Sequence, residues 1–188
     1  MLVVLLLVAA LAGSAFAGQV NVPASDRISL TIYKSRHEMH LLRGAETIKV
    51  YRIFLGSAPS GHKLRRGDNR TPEGNYRVVD KNVSDKFHRF IGIDYPNAHD
   101  ATLAFRQGKI TASQKASIRR AVDSGVRPPA QTILGGHLGI HGIGRDEQLK
   151  LRLIEDMDWT NGCIAVTNKE IRELFENVPV GAQVRIRR

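Results

Sequence analysis

Residues 28–33 read Ile-Ser-Leu-Thr-Ile-Tyr. Ile28, Leu30 and Ile32 fall on one face and Ser29, Thr31 and Tyr33 on the other, the period of a half-buried strand. Working outward, Arg43-Gly44-Ala45 turns the chain into a further strand whose Ile48, Val50 and Phe54 are expected to share a face. Thr71-Pro72-Glu73-Gly74 is a turn signal leading into Tyr76–Val79, and Arg89–Tyr95, Leu138–Ile143 and the pair Val184/Ile186 read as further short strands. Short strands between Gly/Pro turns predict a mostly β fold of sandwich or barrel type.

Three segments carry helical spacing instead and make the class α+β, with the helices at the periphery. Thr111 and Gln114 form a capping box, Ile118, Ala121 and Val122 follow at helical intervals, and Gly125 and Pro128-Pro129 end the element. Arg145–Met157 is a weaker helical stretch. Thr167–Val178 is the clearest, with Thr167 and Glu170 as its capping box and Ile171, Leu174, Phe175 and Val178 on one face. Phe105–Gln131 is therefore expected to be a helical insert, a lid or accessory element. No internal repeat, low-complexity tract or interdomain linker interrupts the chain.

The 188 residues suit a single domain, and 28 Lys plus Arg against 18 Asp plus Glu leave a formal charge of +10. Such a surplus points to an anionic partner. Met1–Ala17, MLVVLLLVAALAGSAFA, has a short apolar run followed by an Ala-x-Ala end, the pattern of a cleavable secretory signal. A membrane-spanning helix needs about 20 apolar residues. The expected organisation is a signal peptide at 1–17, an N-terminal segment at 18–27 and one domain from 28 to 188. Export to the periplasm or cell envelope follows, with membrane attachment only if the signal stays uncleaved. An exported basic protein meets envelope polymer rather than DNA. Aromatic residues are 6% of the chain and do not interleave with basic ones, which argues against nucleic acid as the partner.

Cys163, the single cysteine, lies in Asp158-Trp159-Thr160-Asn161-Gly162-Cys163-Ile164-Ala165-Val166 just ahead of the last helix. A lone Cys is commonly a small buried hydrophobe. An unpaired thiol in an oxidising compartment is, however, a liability. Asn161-Gly162-Cys163 can aim successive backbone N–H groups at one point, stabilising a thiolate or an oxyanion. His141, in Gly139-Ile140-His141-Gly142, supplies a candidate base at the end of a predicted strand. The Gly142 carbonyl is placed to fix its tautomer. On residues and spacing alone, a Cys/His nucleophilic site and a structural thiol both stand.

The pair Ile140-His141-Gly142 and Trp159-Thr160-Asn161-Gly162-Cys163-Ile164-Ala165-Val166-Thr167-Asn168 resembles the L,D-transpeptidase catalytic domain family (YkuD type), whose signature is His-Gly followed by Ser/Thr-x-Gly-Cys. Thr71–Tyr76, TPEGNY, is similar to that family's Thr-Pro-x-Gly-x-Tyr/Phe turn. Asp94–Asp100, DYPNAHD, resembles a segment of its bacterial murein branch. The resemblance runs from about Ile28 to the C-terminus. It implies a β-sandwich-like catalytic fold and cysteine acyl transfer on peptidoglycan stem peptides, without metal or organic cofactor. Carried over, Cys163 is the nucleophile, His141 the general base and Gly142 the carbonyl that orients it. Thr160, Asn161, Gly162 and His137 are candidates for oxyanion or substrate contacts. Two positions depart from the pattern: Asn161 stands where many members carry His, and Ala165 where many carry Arg, which leaves carboxylate recognition unassigned. Trp-Thr-x-Gly-Cys-Ile-Ala is similar to a branch that includes an enzyme detaching wall-linked lipoprotein, so a hydrolytic outcome is implied beside transpeptidation. A non-catalytic wall-binding module that keeps the fold for its basic surface is the third reading, and the intact Cys163/His141 pair favours an enzyme over it, since a binder needs neither residue.

The remaining signals are weaker. His37 and His40 would face opposite sides of a strand and there is no His-Glu-x-x-His, so no metal site is expected. His137 lies four residues before His141 and is expected on the same strand face. His62-Lys63-Leu64-Arg65-Arg66 reads as a solvated basic loop that can also hold anionic wall polymer, as do Arg185, Arg187 and Arg188. Trp159 reads as a packing anchor beneath the Cys163 loop.

Overall fold

A computed structural model describes residues 23–154 and 157–188. The expected signal segment lies outside the described residues, and among those described no helix is long and apolar enough to cross a membrane. The strands are β1 (Ile28–Tyr33), β2 (Glu38–Arg43), β3 (Glu46–Arg52), β4 (Gly74–Ser84), β5 (His88–Ile93), β6 (Gly139–Gly142), β7 (Ile164–Val166) and β8 (Gln183–Arg187). The helices are α1 (Ala98–Arg106), α2 (Ala112–Asp123), α3 (Glu147–Ile154) and α4 (Asn168–Asn177). The strands form one sheet in the order β3-β2-β1-β8-β4-β5-β6-β7. β1 pairs with β8, and β6 with β7, in parallel; the other pairs are antiparallel. Bridges from Phe54 to Ala165 and from Gly56 to Thr160 bring the chain beyond β3 against β7. The result is a mostly β fold with a nearly closed, barrel-like sheet, as the strand-and-turn reading predicts.

The ISLTIY strand lies inside this sheet between β2 and β8, and Leu30 and Ile32 are fully buried. Their core extends through Tyr51, Tyr76, Ile91, Ile140 and Ile164 to Ile171 and Leu174 of α4, which packs its apolar face onto the sheet. Each fully buried aliphatic side chain contributes about 1.5–3 kcal/mol relative to exposure.

Several expectations are corrected. β2 is a full strand that the sequence reading passed over, because His37 at its start adopts a left-handed turn at φ 53°. Along β3 and the residues just after it the inward face is not Ile48, Val50 and Phe54: Ile48 and Val50 are exposed, whereas Tyr51 of β3 and Ile53 and Leu55 beyond it belong to the core. Phe54 is buried, but on the opposite side, with Ile143, Ala165 and Trp159. β3 is an edge strand that itself bulges at Ile48, between the partners of Leu41 and Leu42, and its outer residues face solvent. The helical insert also begins earlier than Phe105. Asn97 and Asp100 form a capping box that starts α1, and α1 and α2 share a small core of Ala101, Ala104, Ile110, Ile118 and Leu134. The α2 and α4 capping boxes at Thr111/Gln114 and Thr167/Glu170 form as read.

Candidate active site

The site is built on the parallel pair β6/β7 and on the loop that enters β7. His141 lies opposite Ala165 and Ile140 opposite Ile164. In a parallel ladder, residues in register point to the same face, so His141 and Ala165 share a face. Extending the register by two residues puts Cys163 alongside Gly139. The strand spacing and rise then separate the Cα atoms of His141 and Cys163 by on the order of 8 Å, within reach of two side chains that lean together.

The Cys163 loop is held by its own threonine. The Thr160 hydroxyl donates to the Cys163 carbonyl at 2.6 Å and accepts from the Gly162 N–H at 3.1 Å. Thr160 N donates to Leu55 O at 3.0 Å, and Thr160 O accepts from Ser57 N at 2.9 Å. Thr160 is thus a buried clamp, and the Gly162 N–H is engaged inside the loop. Gly162 has φ 123° and a Cβ there would stand 2.6 Å from the Arg70 carbonyl, so the loop takes no other residue at this point without shifting. Asn161 is exposed and lines the cleft with Cys163.

The His141 ring is nearly fully buried. It stacks on Phe87 at 4.2 Å between centroids, lies 6.4 Å from Phe90 and meets the Trp159 edge at 5.9 Å. Its Nδ1–H donates to the Gly142 carbonyl at 2.8 Å, which leaves the Nε2 lone pair as the proton acceptor. Gly142 N in turn donates to the Phe87 carbonyl at 3.1 Å. A Cβ on Gly142 would lie 2.7 Å from the Asn168 side-chain oxygen and 2.8 Å from Ile171, so only glycine lets α4 press this close. Burial lowers the His141 pKa to about 4, against the Gly142 hydrogen bond that raises it and with Lys86 adding to the fall. The imidazole is therefore neutral at pH 7.

Cys163 is half-buried and free of any disulfide. Burial raises its pKa, and the Gly139 backbone N–H, Lys63 and Arg127 pull in the opposite direction. The thiol itself donates to the His137 carbonyl, at 3.9 Å. The resting pair is therefore a neutral thiol and a neutral imidazole. His137 does not share a strand face with His141. It precedes β6 in a left-handed conformation at φ 56°, turns its carbonyl toward the sulfur and approaches Arg127 through its ring at 3.2 Å.

Cys163 opens onto a cleft of about 660 Å³ walled on one side by Lys63, Arg66 and Asn69 and on the other by Ala130, Gly135 and His137. The basic run is only partly a solvated loop, since Lys63 is 3% exposed and binds Asp68 at 2.7 Å. Asp68 also accepts from Leu64 N at 2.7 Å and Arg65 N at 3.0 Å. Although burial alone would raise it, these bonds hold the Asp68 carboxyl down at about 2. The Thr-Pro-Glu-Gly turn braces the same loop. Lys34, buried, donates to the Thr71 carbonyl and Glu73, both at 2.9 Å, while the Thr71 hydroxyl accepts from Gly56 N at 3.0 Å. Ala165 is fully buried between Phe54 and Ile143, so position 165 has no room to serve the cleft. Sequence reasoning missed Phe87 and Phe90 around the imidazole. Phe90 is the cross-strand partner of His141 in the β5/β6 pair and Phe87 comes from the turn between β4 and β5, and no local spacing announces that pairing. His37 and His40 bind carboxylates separately, His37 to Asp158 and His40 to Glu38, each at 3.0 Å. Among the described residues no group of three or more His, Cys, Asp or Glu side chains is placed to hold a metal.

The family model of the L,D-transpeptidase catalytic domain (YkuD) matches residues 27–186. Among solved structures, Bd1075 of Bdellovibrio bacteriovorus is similar at 17% identity and a TM-score of 0.55, over 89% of this chain and 50% of that one. L,D-transpeptidase 1 of Mycobacterium tuberculosis is similar at 12% identity and a TM-score of 0.46, over 87% of this chain and 62% of that one. An L,D-transpeptidase of Mycobacterium smegmatis is similar at 10% identity and 0.48, over 86% and 59%. The chain thus spans about half to six tenths of the length of these structures. No curated protein sequence matches it significantly. With a match that runs from Arg27 to Ile186 and takes in both His141-Gly142 and Thr160–Cys163, the chain belongs to the L,D-transpeptidase catalytic domain family.

Proposed function

We propose that the protein is an exported cysteine acyltransferase of the cell envelope that acts on peptidoglycan stem peptides. The observation that carries this reading is the pairing of a half-buried thiol that lines a cleft with a neutral, tautomer-fixed imidazole on the neighbouring parallel strand. In the first step the Cys163 sulfur attacks the carbonyl of the diamino acid that precedes the terminal D-amino acid. The thiol proton passes to His141 Nε2 and on to the departing amine, so the C–N bond breaks as the thioester forms. In the second step His141 takes a proton from an acceptor amine or from water, which attacks the thioester and restores the thiol. The tetrahedral oxyanion falls to the Cys163 N–H and the Asn161 amide; Gly162 and Thr160 serve by holding the loop. A base whose pKa is far below that of the thiol does not store a thiolate, so the sulfur is deprotonated as it attacks.

The products distinguish the acyl acceptors. Purified muropeptides incubated with the protein are expected to yield cross-linked dimers by mass spectrometry. Shortened stems alone would assign water as acceptor, and release of lipoprotein-linked fragments would assign the hydrolytic detachment reaction. Unchanged muropeptides would contradict the proposal.

A further inference from the structure

Among the described residues that line the Cys163 cleft there is no Asp or Glu, whereas Lys63 and Arg66 both contribute. These two cations differ. Lys63 is neutralised by Asp68 at 2.7 Å and is buried. Nearby Arg127 is likewise committed to Asp80, with its Nε donating at 2.8 Å. Arg66 is exposed at the cleft, and among the described residues it has no carboxylate partner.

Its position is nonetheless fixed from three sides. The Arg66 backbone N donates to the Ile133 carbonyl at 2.8 Å. Its stem lies over Gly135, where an added Cβ would stand 3.3 Å from the Arg66 Cβ. One terminal NH2 donates to the Ala130 carbonyl. These contacts bridge the two walls of the cleft and use one guanidinium nitrogen, leaving further donors of the planar fork for a ligand. A held guanidinium loses little freedom on binding and matches a carboxylate with two parallel hydrogen bonds.

We propose that Arg66 is a carboxylate clamp that binds the free α-carboxylate at the C-terminus of the peptide acylating Cys163. The clamp takes its ligand from the function proposed above: the scissile carbonyl of such a peptide lies one residue from that carboxylate, so both groups enter the same cleft. An ordinary surface arginine would discriminate no peptide terminus; a clamp does.

The test is equilibrium binding to the full-length Cys163→Ala protein, using a stem tetrapeptide with a free C-terminal carboxylate and the same tetrapeptide as its C-terminal amide. A charge-assisted bond of this kind corresponds to a preference for the acid of about tenfold to a hundredfold. Adding Arg66→Gln is expected to weaken the acid to the level of the amide and leave the amide unchanged. Adding Arg66→Lys, which keeps the charge without the fork, is expected to retain part of the preference. Equal affinities before the Arg66 change, no binding of either peptide, or a preference that survives Arg66→Gln would each overturn the clamp. So would equal weakening of both peptides, which would make Arg66 only a brace for Ala130. The readout needs no acyl transfer. If the acid preference depends on Arg66 yet the protein with Cys163 intact forms no thioester, the clamp stands and the function proposed above falls.

Discussion

At the scale of single residues, the account turns on the protonation of two groups. Burial among Phe87, Phe90 and Trp159 holds the His141 imidazole neutral, with a pKa of about 4. In the unfolded chain a histidine titrates near 6.5, so the folded protein gives up stability as pH falls from about 6.5 toward 4, by an amount of order 3 kcal/mol. Proton NMR of the His141 ring is expected to show a midpoint near 4, and a midpoint at or above 6.5 would contradict the buried-neutral base. The thiol offers the complementary measurement. With the Cys163 pKa raised, alkylation by iodoacetamide is expected to keep climbing past pH 9; a plateau reached by pH 6 would reveal a resting thiolate–imidazolium pair.

At the scale of elements, the most local signals were the most legible. Capping boxes at Thr111/Gln114 and Thr167/Glu170 announce two helices because both partners lie within four residues of each other. Removing the Thr167 hydroxyl with Thr167→Ala is expected to cost about 1 kcal/mol, seen as a fall in Tm of roughly 2–4 °C, with catalytic rates within a few-fold of the parent. An unchanged Tm would mean that the cap contributes nothing. Edge and crossover geometry was not legible. Ile48 and Val50 look like a core face in isolation, yet β3 is the sheet edge and only Tyr51 on the other face meets the core. His137 has the spacing of a strand residue, but a left-handed turn ends the strand pattern two residues before β6 begins. His141 and Cys163 were readable as a pair from their motifs, whereas Phe87 and Phe90 come from a hairpin more than fifty residues from His141 in the sequence and their place on the imidazole could be seen only once folded.

At the scale of the whole molecule, the formal charge of +10 is distributed over a surface whose cleft presents cations without acidic lining residues. If that surplus serves binding to an anionic wall polymer, affinity for isolated sacculi should fall as salt rises from 0.05 to 0.5 M, because the screening length shrinks from above about 10 Å to a few ångströms. Salt-independent binding would separate the charge from the substrate. The central claim is that this one sulfur forms a covalent bond with the stem peptide. Intact-mass spectrometry of the protein mixed with a stem tetrapeptide tests it most directly. The account predicts a transient adduct with the mass of the tetrapeptide less its terminal D-amino acid, carried on Cys163 and absent from Cys163→Ala. Product formation by Cys163→Ala, or an adduct mapped to any other residue, would contradict it.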